Sequence, residues 1–76
     1  VLTPDGGRLF VSIWGGSKVL ELDPATLDVK ADVAVGEHPN AMAITKDGRL
    51  FVACANTNQV WVVDLATMAA REQISV

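Results

Sequence analysis

One cysteine, one histidine and no tyrosine in 76 residues leave little reactive chemistry to work with. Cys54 alone cannot close an internal disulfide, and without a cluster of His and Cys it does not build a metal site. His38, the single histidine, lies between Glu37 and Pro39 in a linker, outside any serine or carboxylate catalytic motif, and reads as a loop residue rather than a general base. The nucleophile elbow, the phosphate loop, the paired Cys-x-x-Cys and the His-Glu helix motif are all missing. These absences lead to the expectation that the segment is not an enzyme, has no catalytic residues, and holds no cofactor or metal. Positive charge is also scarce. Six Lys and Arg against nine Asp and Glu give a net charge of −3, which excludes a surface that tracks phosphates and hence nucleic acid as a main partner. No apolar run approaches the ~18 residues of a membrane span, and no basic stretch leads into an apolar one at the start, so no membrane partner is expected.

Apolar side chains, in contrast, make up half of the composition, and only a fifth is charged. A chain of this size buries only about 60% of its unfolded surface. It therefore carries more apolar surface than one small sheet can hide, and a neighbour is expected to cover the rest.

The apolar residues come in short β-branched and aromatic runs separated by turn chemistry. Pro4-Asp5-Gly6-Gly7 is a tight turn, Leu9 to Trp14 a strand apolar on both faces, Gly15 to Lys18 a hairpin, and Val19 to Asp23 the returning strand. Asp23-Pro24-Ala25-Thr26 turns the chain again, with Leu27 expected to tuck beneath it. Val29 to Val35 alternates apolar and charged residues, as a strand with one wet side does. Gly36-Glu37-His38-Pro39 is a linker. The sequence then starts over, with strands predicted at 40–45, 49–55, 59–64 and 70–76.

This recurrence can be counted. Arg8–Val35 laid on Arg49–Val76 without a gap gives nine identities in 28 positions: Arg8/Arg49, Leu9/Leu50, Phe10/Phe51, Val11/Val52, Val19/Val60, Asp23/Asp64, Ala25/Ala66, Thr26/Thr67 and Val35/Val76. A period of 41 residues with four short strands per unit is the pattern of a β-propeller, whose blades are four-stranded antiparallel sheets stacked face to face. The expected fold is all-β: two consecutive blades, residues 1–35 and 36–76. The innermost strand of the first is cut down to Val1-Leu2-Thr3. Two blades cannot close a ring, so a larger propeller or completion by other copies is expected.

Asp47-Gly48-Arg49-Leu50-Phe51-Val52-Ala53, followed by Asn56 and by Val60-Trp61-Val62-Val63-Asp64, resembles the YVTN-type bacterial β-propeller repeat. Val35-Gly36-Glu37-His38-Pro39 resembles its blade-to-blade linker. The first copy departs from that pattern at Ile13-Trp14-Gly15-Gly16, and the Trp-Asp pair of WD repeats is absent, since Val62 follows Trp61. The resemblance implies a ring of usually seven blades in an exported bacterial protein, periplasmic or extracellular. Such rings act as a scaffold or binding platform, or are joined to an enzymatic domain. The leading expectation is a non-catalytic module binding a protein or small ligand. The alternative is the propeller portion of a hydrolase, of phosphoesterase or lactonase type, with its catalytic residues outside this chain. The implied partners are other blades, in the same longer chain or by self-association.

Antiparallel order sorts the loops to two ends. One end collects Gly15–Lys18, Gly36–Pro39 and 56–59, and with them the candidate ligand-binding residues Trp14, His38, Asn40, Asn56 and Asn58, an aromatic and neutral hydrogen-bonders. The other collects Asp5, Asp23, Asp47 and Asp64, whose recurrence at equivalent turns points to backbone capping. Asn56 and Asn58 also suit hairpin positions with positive φ. Cys54 falls opposite Ile13 in the repeat and reads as a buried small apolar residue. Trp61, opposite Leu20, reads as packing between blades.

Overall fold

The computed structural model describes residues 1–55 and 57–75. The β-branched and aromatic runs form seven strands: β1 (Leu9–Ile13), β2 (Lys18–Leu22), β3 (Val29–Ala34), β4 (Pro39–Ile44), β5 (Arg49–Cys54), β6 (Gln59–Asp64) and β7 (Ala69–Ser75). They build one sheet of order β1-β2-β3 and a second of order β4-β5-β6-β7, with every pairing antiparallel. This is the expected all-β fold of two consecutive blade-like sheets. The stub of the first blade's innermost strand is in place, since Leu2 bridges to Leu9 and the Val1 carbonyl accepts from the Phe10 amide at 2.8 Å.

β1 ends one residue earlier than the sequence suggests. Trp14, Gly15 and Gly16 form a 3-10 turn: the two glycines weaken an extended strand, and the hairpin closes through Ser17 in the left-handed region (φ 53°). The equivalent residue of the second copy, Asn58, has φ 51°.

Two turns recur with their chemistry intact. Asp5 Oδ1 accepts from the Gly7 amide and the Thr3 hydroxyl, and Asp47 Oδ1 accepts from the Thr45 hydroxyl. Asp23 Oδ1 accepts from the amides of Ala25 and Thr26, and Asp64 Oδ1 from that of Ala66. The carboxylates thus cap turns, as their recurrence predicts. Hydrogen bonds to the charged form hold Asp5, Asp23 and Asp47 below the usual carboxylate pKa: from Thr3 and Gly7, from Ala25 and Thr26, and from Thr45 and Arg49 respectively. A depressed folded-state pKa gives stability that is complete above the ordinary value of 3.8 and is lost as pH falls through the depressed values. Thermal unfolding should therefore be flat in pH from neutrality to about 4 and decline below it. Asp23→Asn should shallow that decline, and an unchanged profile would show that the caps do not couple to folding.

The core lies between the sheets. Phe10, Val19, Val33 and Val35 from the first blade meet Leu50, Val52, Cys54, Val63 and Leu65 from the second, with Met42, Ile44, Trp61 and Met68 packed against them. Trp61 sits at the blade interface as expected, its Nε1 donating to Gln59 Oε1 at 3.1 Å. Cys54 is buried and apolar in its surroundings, and burial pushes its thiol pKa up. Leu27, in contrast, does not tuck under its turn: it is 62% exposed. Its repeat counterpart Met68 has the same left-handed backbone and packs on the core. The difference is that the second blade's face is covered by the first, whereas nothing among the described residues covers the first blade's outer face.

Candidate functional site

The linker from β3 to β4 returns the chain to the end of the sheets where the β1–β2 and β5–β6 hairpins lie. Val35 donates to the Ser17 carbonyl at 3.0 Å, and Ala55 donates to the His38 carbonyl at 3.0 Å. Gly36 is held tightly, for a Cβ there would lie 2.6 Å from Trp61 Nε1 and 3.2 Å from both Cys54 Sγ and Thr57 Oγ1. Only glycine fits this approach of the backbone to the blade interface.

The tight passage aims His38 at Trp14. Their ring centroids are 3.8 Å apart with planes inclined at 32°, so two candidates 24 residues apart in sequence form one aromatic shelf. Trp14 is 59% exposed. His38 has a left-handed backbone (φ 51°), an uncommon conformation for a residue with a Cβ. Among the described residues, His38 Nδ1 and Thr57 Oγ1 are buried without a hydrogen-bond partner. Such burial costs about 1–3 kcal/mol per group, and a bound polar group could recover part of it. Asn58 is exposed in the adjacent hairpin and serves its turn with a positive φ. Asn40 is exposed on β4. Asn56 lies outside the described residues.

Sequence reasoning missed a groove of about 440 Å³ at the opposite end, along the seam between the blades. Its floor is crossed by Arg8, whose guanidinium makes a two-pronged pair with Glu21 at 2.9 Å and donates to the Leu65 carbonyl of the other sheet at 2.9 Å. The pair with Glu21 holds the Arg8 pKa above its ordinary value. The conserved spacing of Arg8 and Arg49 within the repeat was the available signal. The acceptor, a main-chain carbonyl, leaves no trace in the residue type. The aspartates bordering the groove are engaged by their own turns, and among the described residues no three His, Cys, Asp or Glu side chains cluster as metal ligands. No helix among the described residues is long and apolar enough to cross a membrane.

No family model matches the chain, and no curated protein matches it. Among solved structures, it is similar to Kuenenia stuttgartiensis hydrazine synthase, at 37% sequence identity and a TM-score of 0.93 over 99% of this chain. The chain spans about a fifth of that protein, 22% of its length. The same pair of sheets is therefore found as a module within a larger protein. The match also corrects the expectation, drawn from the missing catalytic motifs, that the segment stands apart from enzymes: the similar protein is an enzyme. The absence of a local motif was a poor guide because a module can belong to an enzyme while supplying framework to a site assembled from a much longer chain.

Proposed function

We propose that the chain forms two successive blades of a YVTN-type β-propeller in a larger bacterial protein, periplasmic or extracellular. Its linker end serves as a binding platform for a small ligand with a planar or aromatic face. The observation that carries this reading is the Trp14–His38 shelf: an exposed indole stacked on an imidazole whose backbone conformation and buried Nδ1 are both costly to maintain. Exposed aromatic surface beside hydrogen-bonding groups is what recognition of a planar ligand uses. The assignment to the YVTN repeat and to an exported protein is supported by the turn, strand and linker residues that recur in order. The similarity to a stretch of a larger enzyme supports the reading as one part of a longer chain.

The test is an NMR titration of the chain with a panel of planar heteroaromatic compounds. Binding should move the Trp14 indole and His38 ring signals together, and Trp14→Ala should raise Kd at least about tenfold, the loss of one stacking contact and its buried area. Signals that move only elsewhere, or an affinity indifferent to Trp14, would remove the platform from this end.

A further inference from the structure

Two Asp-Gly pairs, Asp5-Gly6 and Asp47-Gly48, stand at equivalent turns of the two sheets. Such a pair carries a reaction of its own. Glycine has no Cβ, so its amide nitrogen is unshielded from the carboxyl of the preceding aspartate, and it closes on that carboxyl when local opening brings the two together. Each turn is therefore as durable as the bonds that hold it shut. Some of those bonds are shared. Gly6 donates to the Thr3 carbonyl at 2.9 Å and Gly48 to that of Thr45 at 3.2 Å. Asp5 and Asp47 each accept from a threonine hydroxyl, and hydrogen bonding holds both carboxyls below the usual pKa, so ionisation does not separate the two sites.

The second turn has two further ties. The Leu65 amide donates to the Gly48 carbonyl at 3.0 Å, and Arg49 Nε donates to both Asp47 oxygens, at 3.3 and 3.1 Å, which fastens the carboxylate to β5. The first turn has neither. Pro24 stands where Leu65 stands in the repeat, and proline has no amide hydrogen to donate. The Gly6 and Gly7 carbonyls take no main-chain donor among the described residues. Arg8 is engaged by Glu21, whose place in the second sheet is taken by Val62. Asp5 instead folds back along its own turn, with Oδ1 accepting from the Gly7 amide at 2.9 Å. Gly7 is an additional glycine that loosens the segment further, and Asp5, Gly6 and Gly7 are all exposed whereas Gly48 is half-buried. Exposure of the aspartate belongs to the turn itself: Asp47 lines the closed seam between the sheets and still has 60% of its side chain exposed.

We propose that Asp5-Gly6 is a site of spontaneous covalent modification, at which the peptide bond migrates to the side chain and aspartate becomes isoaspartate, while Asp47-Gly48 resists the same change. The Gly6 nitrogen bonds to Asp5 Cγ as its own proton, one proton from solvent and one carboxylate oxygen leave as water, closing a cyclic imide. Water then adds to either imide carbonyl and a proton returns to solvent. Breaking the bond from nitrogen to Cγ restores aspartate. Breaking the bond from nitrogen to the Asp5 main-chain carbonyl carbon leaves isoaspartate, whose backbone runs through Cβ and Cγ and is one methylene longer. That added length disrupts the turn in which Thr3 and Arg8 bind each other, the Thr3 amide to the Arg8 carbonyl at 2.9 Å and the Arg8 amide to Thr3 Oγ1 at 3.1 Å. It therefore loosens one wall of the seam groove. The change needs only water and does not involve the Trp14 platform at the other end of the sheets.

The experiment ages the full chain for weeks at neutral pH in water enriched in heavy oxygen and follows both turns by mass spectrometry. Heavy oxygen enters an aspartate only through the imide, and electron-transfer fragmentation of the peptides tells isoaspartate from aspartate. Asp5 should convert about tenfold faster than Asp47, the effect of two hydrogen bonds on local opening. In urea, with the fold removed, the two sites should convert at similar rates. Pro24→Leu supplies the amide that Leu65 supplies in the second sheet and should slow Asp5 about fivefold, one hydrogen bond's worth, with Asp47 unchanged. Should that variant fail to fold, Pro24→Ala restores the same amide with a smaller side chain. Equal conversion in the folded chain, faster conversion at Asp47, or a difference that persists in urea overturns the proposal, as does a folded Pro24 variant in which Asp5 converts at the wild-type rate.

Discussion

Replacing Phe10 with alanine should cost about 4 kcal/mol, within the range for truncating a fully buried phenylalanine, whereas the same change at Phe51 should cost about 1 kcal/mol. The two residues occupy equivalent positions in strands that share the run Arg-Leu-Phe-Val. Both lie under an arginine at the same distance, so local sequence, strand register and cation–π contact are matched between them. What differs is the neighbour. Phe10 is covered by the second blade, fully enough that none of its surface remains exposed, while Phe51 faces outward. For a domain with a total stability of about 5–15 kcal/mol, the first change removes a large share of it. Urea unfolding of the two variants gives the comparison directly. Equal losses would mean that burial between the blades contributes little.

Arg8→Met should destabilise by about 2 kcal/mol, from the loss of charge-assisted hydrogen bonds to Glu21 and to the Leu65 carbonyl. Methionine keeps much of the apolar stem, so the change isolates the guanidinium. Glu21 is the more buried partner, with 14% of its side chain exposed against 33% for Arg8, and it is left without its cation. Arg49→Met should cost less than about 0.5 kcal/mol, because its pair with Asp47 is exposed on both sides. Arg8→Met should also loosen the seam, seen as faster amide exchange at Leu65, whose own bond to the Gly48 carbonyl lies beside it. Losses of similar size at the two arginines would contradict a clamp between the blades.

Much of the fold was legible in the sequence because its turns are chemical. Asp-Gly segments recur 42 residues apart and the Asp-Pro-Ala-Thr and Asp-Leu-Ala-Thr segments 41 apart, and an Asp side chain capping a turn needs no distant partner. The stacking of the sheets followed from strands apolar on both faces. What could not be read was which of two near-identical copies lies covered. Leu27 and Met68 share a turn and a backbone conformation, yet one is exposed and the other packed, since that outcome is set by a neighbour rather than by residue type. The same holds for Phe10 and Phe51. At the linker end, alternation of the loops placed Trp14 and His38 on one side, and the structure brings their rings together. The stacking itself depended on Trp14 leaving its strand for a glycine-rich 3-10 turn, which propensity alone assigned to the strand. The Arg8 clamp was illegible for a simpler reason: its acceptor is backbone, 57 residues away.

The account turns on the two sheets sharing one core as successive blades, and a double-mutant cycle between them measures this most directly. Phe10 and Val52 come from different sheets, are both fully buried and belong to the same cluster. Unfolding free energies of Phe10→Ala, Val52→Ala and the double variant should reveal a coupling of about 1 kcal/mol or more, as residues in one packed core show. Additivity to within about 0.3 kcal/mol, the behaviour of independent sites, would mean that the sheets do not pack on one another and would contradict the account.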